Sequence, residues 1–265
     1  MQSCSGGSNN YPEIPGMVLI PAGEFIRGSD DVDEEKLAEQ FGSPKGEFFL
    51  DERPMKKIHL EAFYIDKYEV TNEDYRKFIS EIGAQPPPMW NHAEGKYEFP
   101  SDIAKKPITE VTWMHADGYC KWAGKRLPTE SEWEKASRGP DGNKYPWGDD
   151  YNKDYGNLTP GQNYDVGSFE KDKSVYGVYD LAGNVMEWVQ DTYDPYEGND
   201  IRNKNYFMGN HVMRGGYAGT HGHYTMNAIY ARGAYRHFTE PRKFGLDLGF
   251  RCAKDVIVEK QENHE

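Results

Sequence analysis

From Pro140 onward a turn residue, glycine, proline, asparagine or aspartate, recurs every few positions. Such punctuation limits the second half of the chain to short strands held in long loops. Apolar residues are only 37%, yet six tryptophans, nineteen tyrosines and twelve phenylalanines are present. Each ring buries a large area, so the expected core is built from rings rather than aliphatic runs. With 28 glycines and 16 prolines in 265 residues, much of the backbone must turn.

The first half offers clearer elements. Gly16 to Arg27 reads as a strand hairpin with Pro21-Ala-Gly23 at its turn, and His59 to Ile65 alternates like one half-buried strand. Between them, Ser29 to Pro54 is an acidic excursion of little periodicity. Thr71 caps a first helix whose Tyr75, Phe78, Ile79 and Ile82 share a face, ending at Gly83. Thr112 caps a second, with Ala116, Tyr119, Cys120 and Ala123 on one side and Gly124 at the end. Thr129-Glu-Ser-Glu132 is a capping box opening a third, with Trp133 and Ala136 turned inward. No internal repeat is visible, and pattern alone predicts an irregular α+β single domain.

The 31 basic against 44 acidic residues give a net charge of −13, spread along the chain. This balance argues against nucleic acid or anionic lipid headgroups as partners, since both need their phosphates neutralised. No stretch has the apolar length of a membrane span. Residues 1–14 read as a flexible tether and 259–265 as a charged tail, with one domain over 15–258. Cys4, in Met1-Gln-Ser-Cys-Ser-Gly-Gly-Ser8, resembles the lipid-anchored end of a mature bacterial lipoprotein; a free cysteine in a polar tail is the plain alternative.

Five strings then fall in order: Trp122-Ala-Gly-Lys-Arg-Leu-Pro-Thr-Glu-Ser-Glu-Trp133, Tyr145-Pro-Trp-Gly148, Tyr179-Asp-Leu-Ala-Gly-Asn-Val-Met-Glu-Trp188, Arg214-Gly-Gly216 and Leu248-Gly-Phe-Arg-Cys-Ala253. In order and spacing they resemble the formylglycine-generating enzyme, or sulfatase-modifying-factor, family. The resemblance implies a compact α+β domain related to C-type lectins, with little regular secondary structure. It also implies a disulfide between Cys120 and Cys252, worth about 4 to 5 kcal/mol in the chain-entropy model and durable only where thiols are oxidised. Two buried thiols in a reducing compartment are the other possibility.

Carried over position by position, the family's calcium ligands are the Asp180 and Glu187 carboxylates with the carbonyls of Gly183 and Val185, a hard-oxygen set suited to calcium. A plain turn with Glu187 paired to an arginine is the competing reading. Asn157 and Leu158 match the start of a second calcium site whose other half is missing.

The family's enzyme acts through two reactive cysteines that bind Cu(I) and capture the substrate thiol. Here they fall at His223 and Ala228, counting back from Cys252, or at Thr220 and Thr225, counting forward from Gly215. Neither alignment supplies a thiol, so the inherited oxidation is not expected. His211, His221, His223 and His237 remain there; His221, His223 and His237 could hold copper or iron, or be ordinary loop histidines. Arg232 and Arg236 could face a groove and grip a carboxylate, or pair with the chain's own acids. The resulting expectation is a non-catalytic, exported and lipid-anchored domain that binds a protein or glycan partner in the cell envelope on a calcium-stabilised scaffold. Its rival is a histidine-metal oxidase of the same fold.

Overall fold

The computed structural model describes residues 11–34, 39, 48–90, 97–158, 162–216 and 224–257. The residues around Cys4, the pair His221 and His223, and the tail after 257 lie outside that set. The described strands are β1 (Met17–Ile20), β2 (Gly23–Arg27), β3 (Lys56–Leu60), β4 (Phe63–Asp66), β5 (Met186–Thr192), β6 (His211–Arg214), β7 (His237–Thr239), β8 (Leu248–Phe250) and β9 (Ala253–Asp255). The helices are α1 (Asn72–Ile82), α2 (Trp113–Trp122), α3 (Glu130–Arg138) and α4 (Tyr224–Tyr230). Most of the described chain from Pro140 is loop, as its turn residues require, but α4 is a helix where the sequence predicts only short strands.

The cap chemistry places three helix starts. The side chains of Thr71, Thr112 and Thr129 accept the N–H of Asp74, His115 and Glu132, and the Glu132 carboxylate returns to the Thr129 N–H. Ile82 is the exception among the predicted inward residues of α1. It lies on the last turn and is 54% exposed, because the chain turns away at Gly83 before any layer covers it.

Strand pairing departs from expectation. Gly16 to Arg27 does not form a hairpin: β1 pairs antiparallel with β4, and β2 with β3. The Pro21–Gly23 corner carries the chain between two sheets, and Lys135 on α3 fixes it by donating to the carbonyls of Pro21 and Gly23 at 2.7 and 2.9 Å. The single strand expected over His59–Ile65 is likewise divided, β3 joining the small sheet and β4 the sheet β1-β4-β9. The third sheet has the order β7-β6-β5-β8, with β8 parallel to β5 and the other pairs antiparallel.

Rings do build the core. Tyr75 stacks on Tyr119 at 5.8 Å, and Phe78 and Phe250 meet Tyr119 edge-on. This cluster joins α1 and α2 to the four-stranded sheet, and the Cys120–Cys252 disulfide lies within it. A second cluster, around Trp133, Phe63, Val189 and Tyr193, joins α3 to that sheet and to β1 and β4.

Candidate functional site

Beside the apolar clusters the fold also buries charge. Glu187, on β5, lies opposite Arg214 of β6 and Gly249 of β8. Two residues past Gly249, Arg251 turns its guanidinium onto Glu187, with Nε and Nη2 donating to the two carboxylate oxygens at 2.7 and 2.6 Å. Trp133 Nε1 donates to the same carboxylate at 2.9 Å. Arg251 also donates to the carbonyls of Tyr179 and Asp66, which ties the turn before β5 to β4. This bidentate, desolvated pair holds the site together.

Three more carboxylates surround it. Asp172 accepts the N–H groups of Leu181 and Ala182, Asp180 accepts that of Gly167 at 2.6 Å, and Glu69 accepts from Asn184 Nδ2 and the Val185 N–H. Burial, then the nearby charge of Asp180, pushes Asp172 up to about 8. Burial, opposed by the Gly167 N–H and Arg251, pushes Asp180 up to about 6. Glu69 is raised well above the carboxylate range by burial and by Asp180 and Glu187. Four buried acids thus surround one arginine, a surplus that protons or a cation must offset.

The two strings matched to calcium sites meet in space. The Asn157 carbonyl accepts the Asn184 N–H at 2.9 Å, and Asn157 Nδ2 donates to Asn184 Oδ1 and to the Gln162 carbonyl. The loops approach so closely at Gly183 that a Cβ there would lie 2.5 Å from the Asn157 carbonyl oxygen. Asn184 sits at φ 68 and Asp180 at φ 58, left-handed conformations that the surrounding hydrogen bonds enforce. Of the expected calcium set, Asp180 and the carbonyls of Gly183 and Val185 stand on this turn. Both oxygens of Glu187 accept from Arg251, and one also from Trp133 Nε1. The Asp180 carboxylate and the backbone carbonyls of this turn are hard oxygen donors of the kind calcium takes, and Asn157 and Leu158 are both buried.

Arg232 and Arg236 are both buried, 5% and 1% exposed. Arg232 is buried against Glu52 and Asp31 at 2.8 and 2.6 Å. Arg236 holds Glu130 through Nε and Nη2 at 2.7 and 2.9 Å and donates to the carbonyls of Asp51 and Asp194. Arg214 bridges Glu130 and Glu134, and Arg138 pairs with Glu134 one turn along α3. Burial pushes the Glu134 carboxyl up, but Arg214 and Arg138 outweigh it and hold the group below the usual carboxylate range. Pairing with the chain's own acids accounts for both arginines.

Among the described residues, His211 and His237 each pack against aromatic rings. His211, on β6, packs against the Trp113 ring at 4.3 Å, and His237, on β7, lies against Tyr235 and Tyr230. His221 and His223 fall outside the described residues. Ala228, one candidate position for a reactive cysteine, is on α4, and its carbonyl accepts the Tyr145 hydroxyl at 3.0 Å. Cys120 and Cys252 are fully buried and joined to each other, which removes both from thiol chemistry.

Glu69, Asp172 and Arg251 were missed by the reading of sites from sequence. Arg251 stands inside the Leu248–Ala253 string, where a cation among apolar neighbours signals a buried partner, and Glu69 is similarly isolated before Val70. Asp172 follows Lys171 in a polar stretch and carried no such signal.

A mixed α+β domain with few helices, three small sheets and these buried ion pairs defines the class. The model of the sulfatase-modifying factor enzyme 1-like domain matches residues 5–256, so the chain belongs to that family. It is 33% identical over 264 residues to serine/threonine-protein kinase Pkn1 of Chlamydia trachomatis, covering 92% of this chain but only 39% of the relative. It is 28% identical to inactive C-alpha-formylglycine-generating enzyme 2 of Mus musculus, covering 98% and 92% of the two chains. The structure of PvdO from Pseudomonas aeruginosa superposes with a TM-score of 0.68 at 25% identity, covering 91% and 94%.

Proposed function

We propose that the chain is a non-catalytic member of its family, a rigid module that binds a protein partner. One observation carries this reading: both cysteines of the folded part are closed in a disulfide, and the stretch from Tyr217 to Arg236 has none. Without a thiolate there is nothing to hold Cu(I) or to capture a substrate thiol. A relative whose name marks it as inactive supports the reading, as do kinases that carry a matching region within a longer chain. The deciding experiment incubates the protein with Cu(I) and a Cys-x-Pro-x-Arg peptide under oxygen and follows the peptide by mass spectrometry. Unchanged peptide is expected, and the aldehyde product would overturn the proposal.

Export and a lipid anchor at Cys4 belong to the same proposal, supported by a disulfide that a reducing compartment would not maintain. So does a calcium ion at the Asp180 turn, supported by the acid surplus there; Asp180 and the carbonyls of Gly183 and Val185 would hold it, and it would fix the turn before β5. Melting the protein in calcium and in chelator reads this directly. Equal melting temperatures would remove the ion from the proposal.

A further inference from the structure

Strand β1 is an open edge: its sheet runs β1-β4-β9, and no described strand lies beyond β1. The Gly16 carbonyl accepts the Lys67 N–H at 2.9 Å, and on the far side of β4 the Asp66 N–H donates to the Cys252 carbonyl at 2.8 Å. Successive residues of an antiparallel ladder bond to opposite sides. Val18 and Ile20 therefore bond to β4, while Met17 and Leu19 turn their main-chain groups outward. The Met17 N–H folds back onto the Ile14 carbonyl at 3.0 Å. Among the described residues, nothing hydrogen-bonds the Leu19 N–H, the Leu19 carbonyl or the Met17 carbonyl.

This edge is also unguarded. On β3, in the two-stranded sheet, Lys56 and Lys57 pair with Glu197 and Glu24, a charged rim that discourages a further strand. Met17-Val-Leu-Ile20 carries no charge. A hollow of about 810 Å³ runs along it, with Tyr11, Pro12, Met17, Leu19, Tyr64 and Tyr176 among its walls. Val18 lines it as well as Leu19, and neighbouring side chains of a strand point to opposite faces, so the hollow lies beside β1 rather than above it. Glu13 and Lys67 are the charged lining residues, one of each sign, and Lys67 Nζ lies over the Tyr68 and Tyr179 rings at 5.2 and 5.3 Å. That balance favours an uncharged occupant, and the free main-chain groups require an extended one. A second copy pairing edge to edge fits less well. In the register centred on Leu19, the free Met17 carbonyl would face Pro21, which has no N–H to give.

We infer that β1 docks an uncharged, extended, apolar segment of another protein as an added strand, its main chain satisfying Leu19 and alternate side chains entering the hollow. The inference rests on the reading of the chain as a protein-binding module and names that module's partner class. The test titrates the full chain into a labelled Ser-Val-Thr-Val-Thr-Val-Ser peptide, acetylated and amidated, and follows fluorescence anisotropy. Hydrogen exchange of the Leu19 amide is read by NMR with and without the peptide. Saturable binding is expected, with Leu19 exchange slowed on binding. The same peptide N-methylated at two adjacent central residues, which blocks both of its edges, should bind at least about tenfold more weakly.

Leu19→Pro should weaken binding as strongly, because it removes an outward N–H and leaves the bonds of Val18 and Ile20 to β4. An unchanged melting temperature verifies that the variant folds; if it does not fold, the exchange measurement on the natural chain decides. Absence of saturation up to millimolar protein would overturn the inference, as would equal binding of the N-methylated peptide or binding that leaves Leu19 exchange unchanged. Protection of Leu19 without peptide, together with a dimer in sedimentation, would overturn it in favour of a second copy. The titration contains no copper and reads no aldehyde, so its failure is distinguishable from failure of the non-catalytic reading.

Discussion

At Asp172 a buried carboxyl keeps its proton at neutral pH, and the sign of its effect on stability follows. Burial and Asp180 raise it to about 8 in the folded chain from an ordinary value of 3.8. Between those values the folded state holds the proton and the unfolded state does not. The associated stability is complete below about pH 4 and is lost as pH rises through about 8, with a limiting slope on the order of 1 kcal/mol per pH unit. Asp172→Asn keeps an oxygen for the Leu181 and Ala182 N–H groups while removing the titration. Melting curves in chelator should therefore flatten in the variant between pH 6 and 8; a wild-type slope would remove Asp172 as its source. Arg251 is the opposite case, a cation whose loss leaves Glu187 buried without charge compensation. Arg251→Met should cost about 3 to 5 kcal/mol in urea unfolding, and adding Glu187→Gln should restore part of it. A double variant as unstable as the single one would show that the pair is not the principal interaction.

Among the elements, the helices were the most legible in sequence and the sheets the least. Thr71, Thr112 and Thr129 announce helix starts because a cap is satisfied within three residues of itself, whatever the rest of the chain does. The partner of β1 lies on β4 and that of β2 on β3, distances no local pattern encodes, so the Pro21–Gly23 corner looked like a hairpin. Counting apolar residues placed Trp133 and Ala136 of α3 inward but not Glu130, Glu134, Lys135 and Arg138, which the fold also buries. The partners of Glu130 and Glu134, Arg214 and Arg236, are remote in sequence, as are the Pro21 and Gly23 carbonyls that Lys135 reaches. The Gly215-Gly216 step shows how tightly these elements meet, since a Cβ on Gly216 would lie 2.1 Å from the Ala182 carbonyl oxygen. Backbone cannot yield there as a flexible side chain could. Gly216→Ala should destabilise by about 2 kcal/mol or more, and a melting temperature equal to wild type would contradict the close approach.

Across the whole molecule, the disulfide spans the elements that local sequence could not connect. Cys120 on α2 and Cys252 between β8 and β9 are separated by 132 residues, and the ring cluster around them joins two helices to the four-stranded sheet. The pairing was legible only through family resemblance, since two cysteines so far apart carry no geometric signal of their own. Constraining so long a loop of the unfolded chain gives a stabilisation of about 5 kcal/mol in the chain-entropy model, comparable with the whole net stability of many domains. Unlike the buried ion pairs, this contribution acts mainly on the unfolded state, so it should leave the native ring packing intact when removed. Replacing both cysteines by alanine should then lower the urea midpoint strongly while preserving the near-ultraviolet circular dichroism of the packed rings at low temperature. Loss of that signal in an otherwise folded chain would mean that the bond shapes the core itself, and an unchanged midpoint would mean that the cross-link contributes nothing.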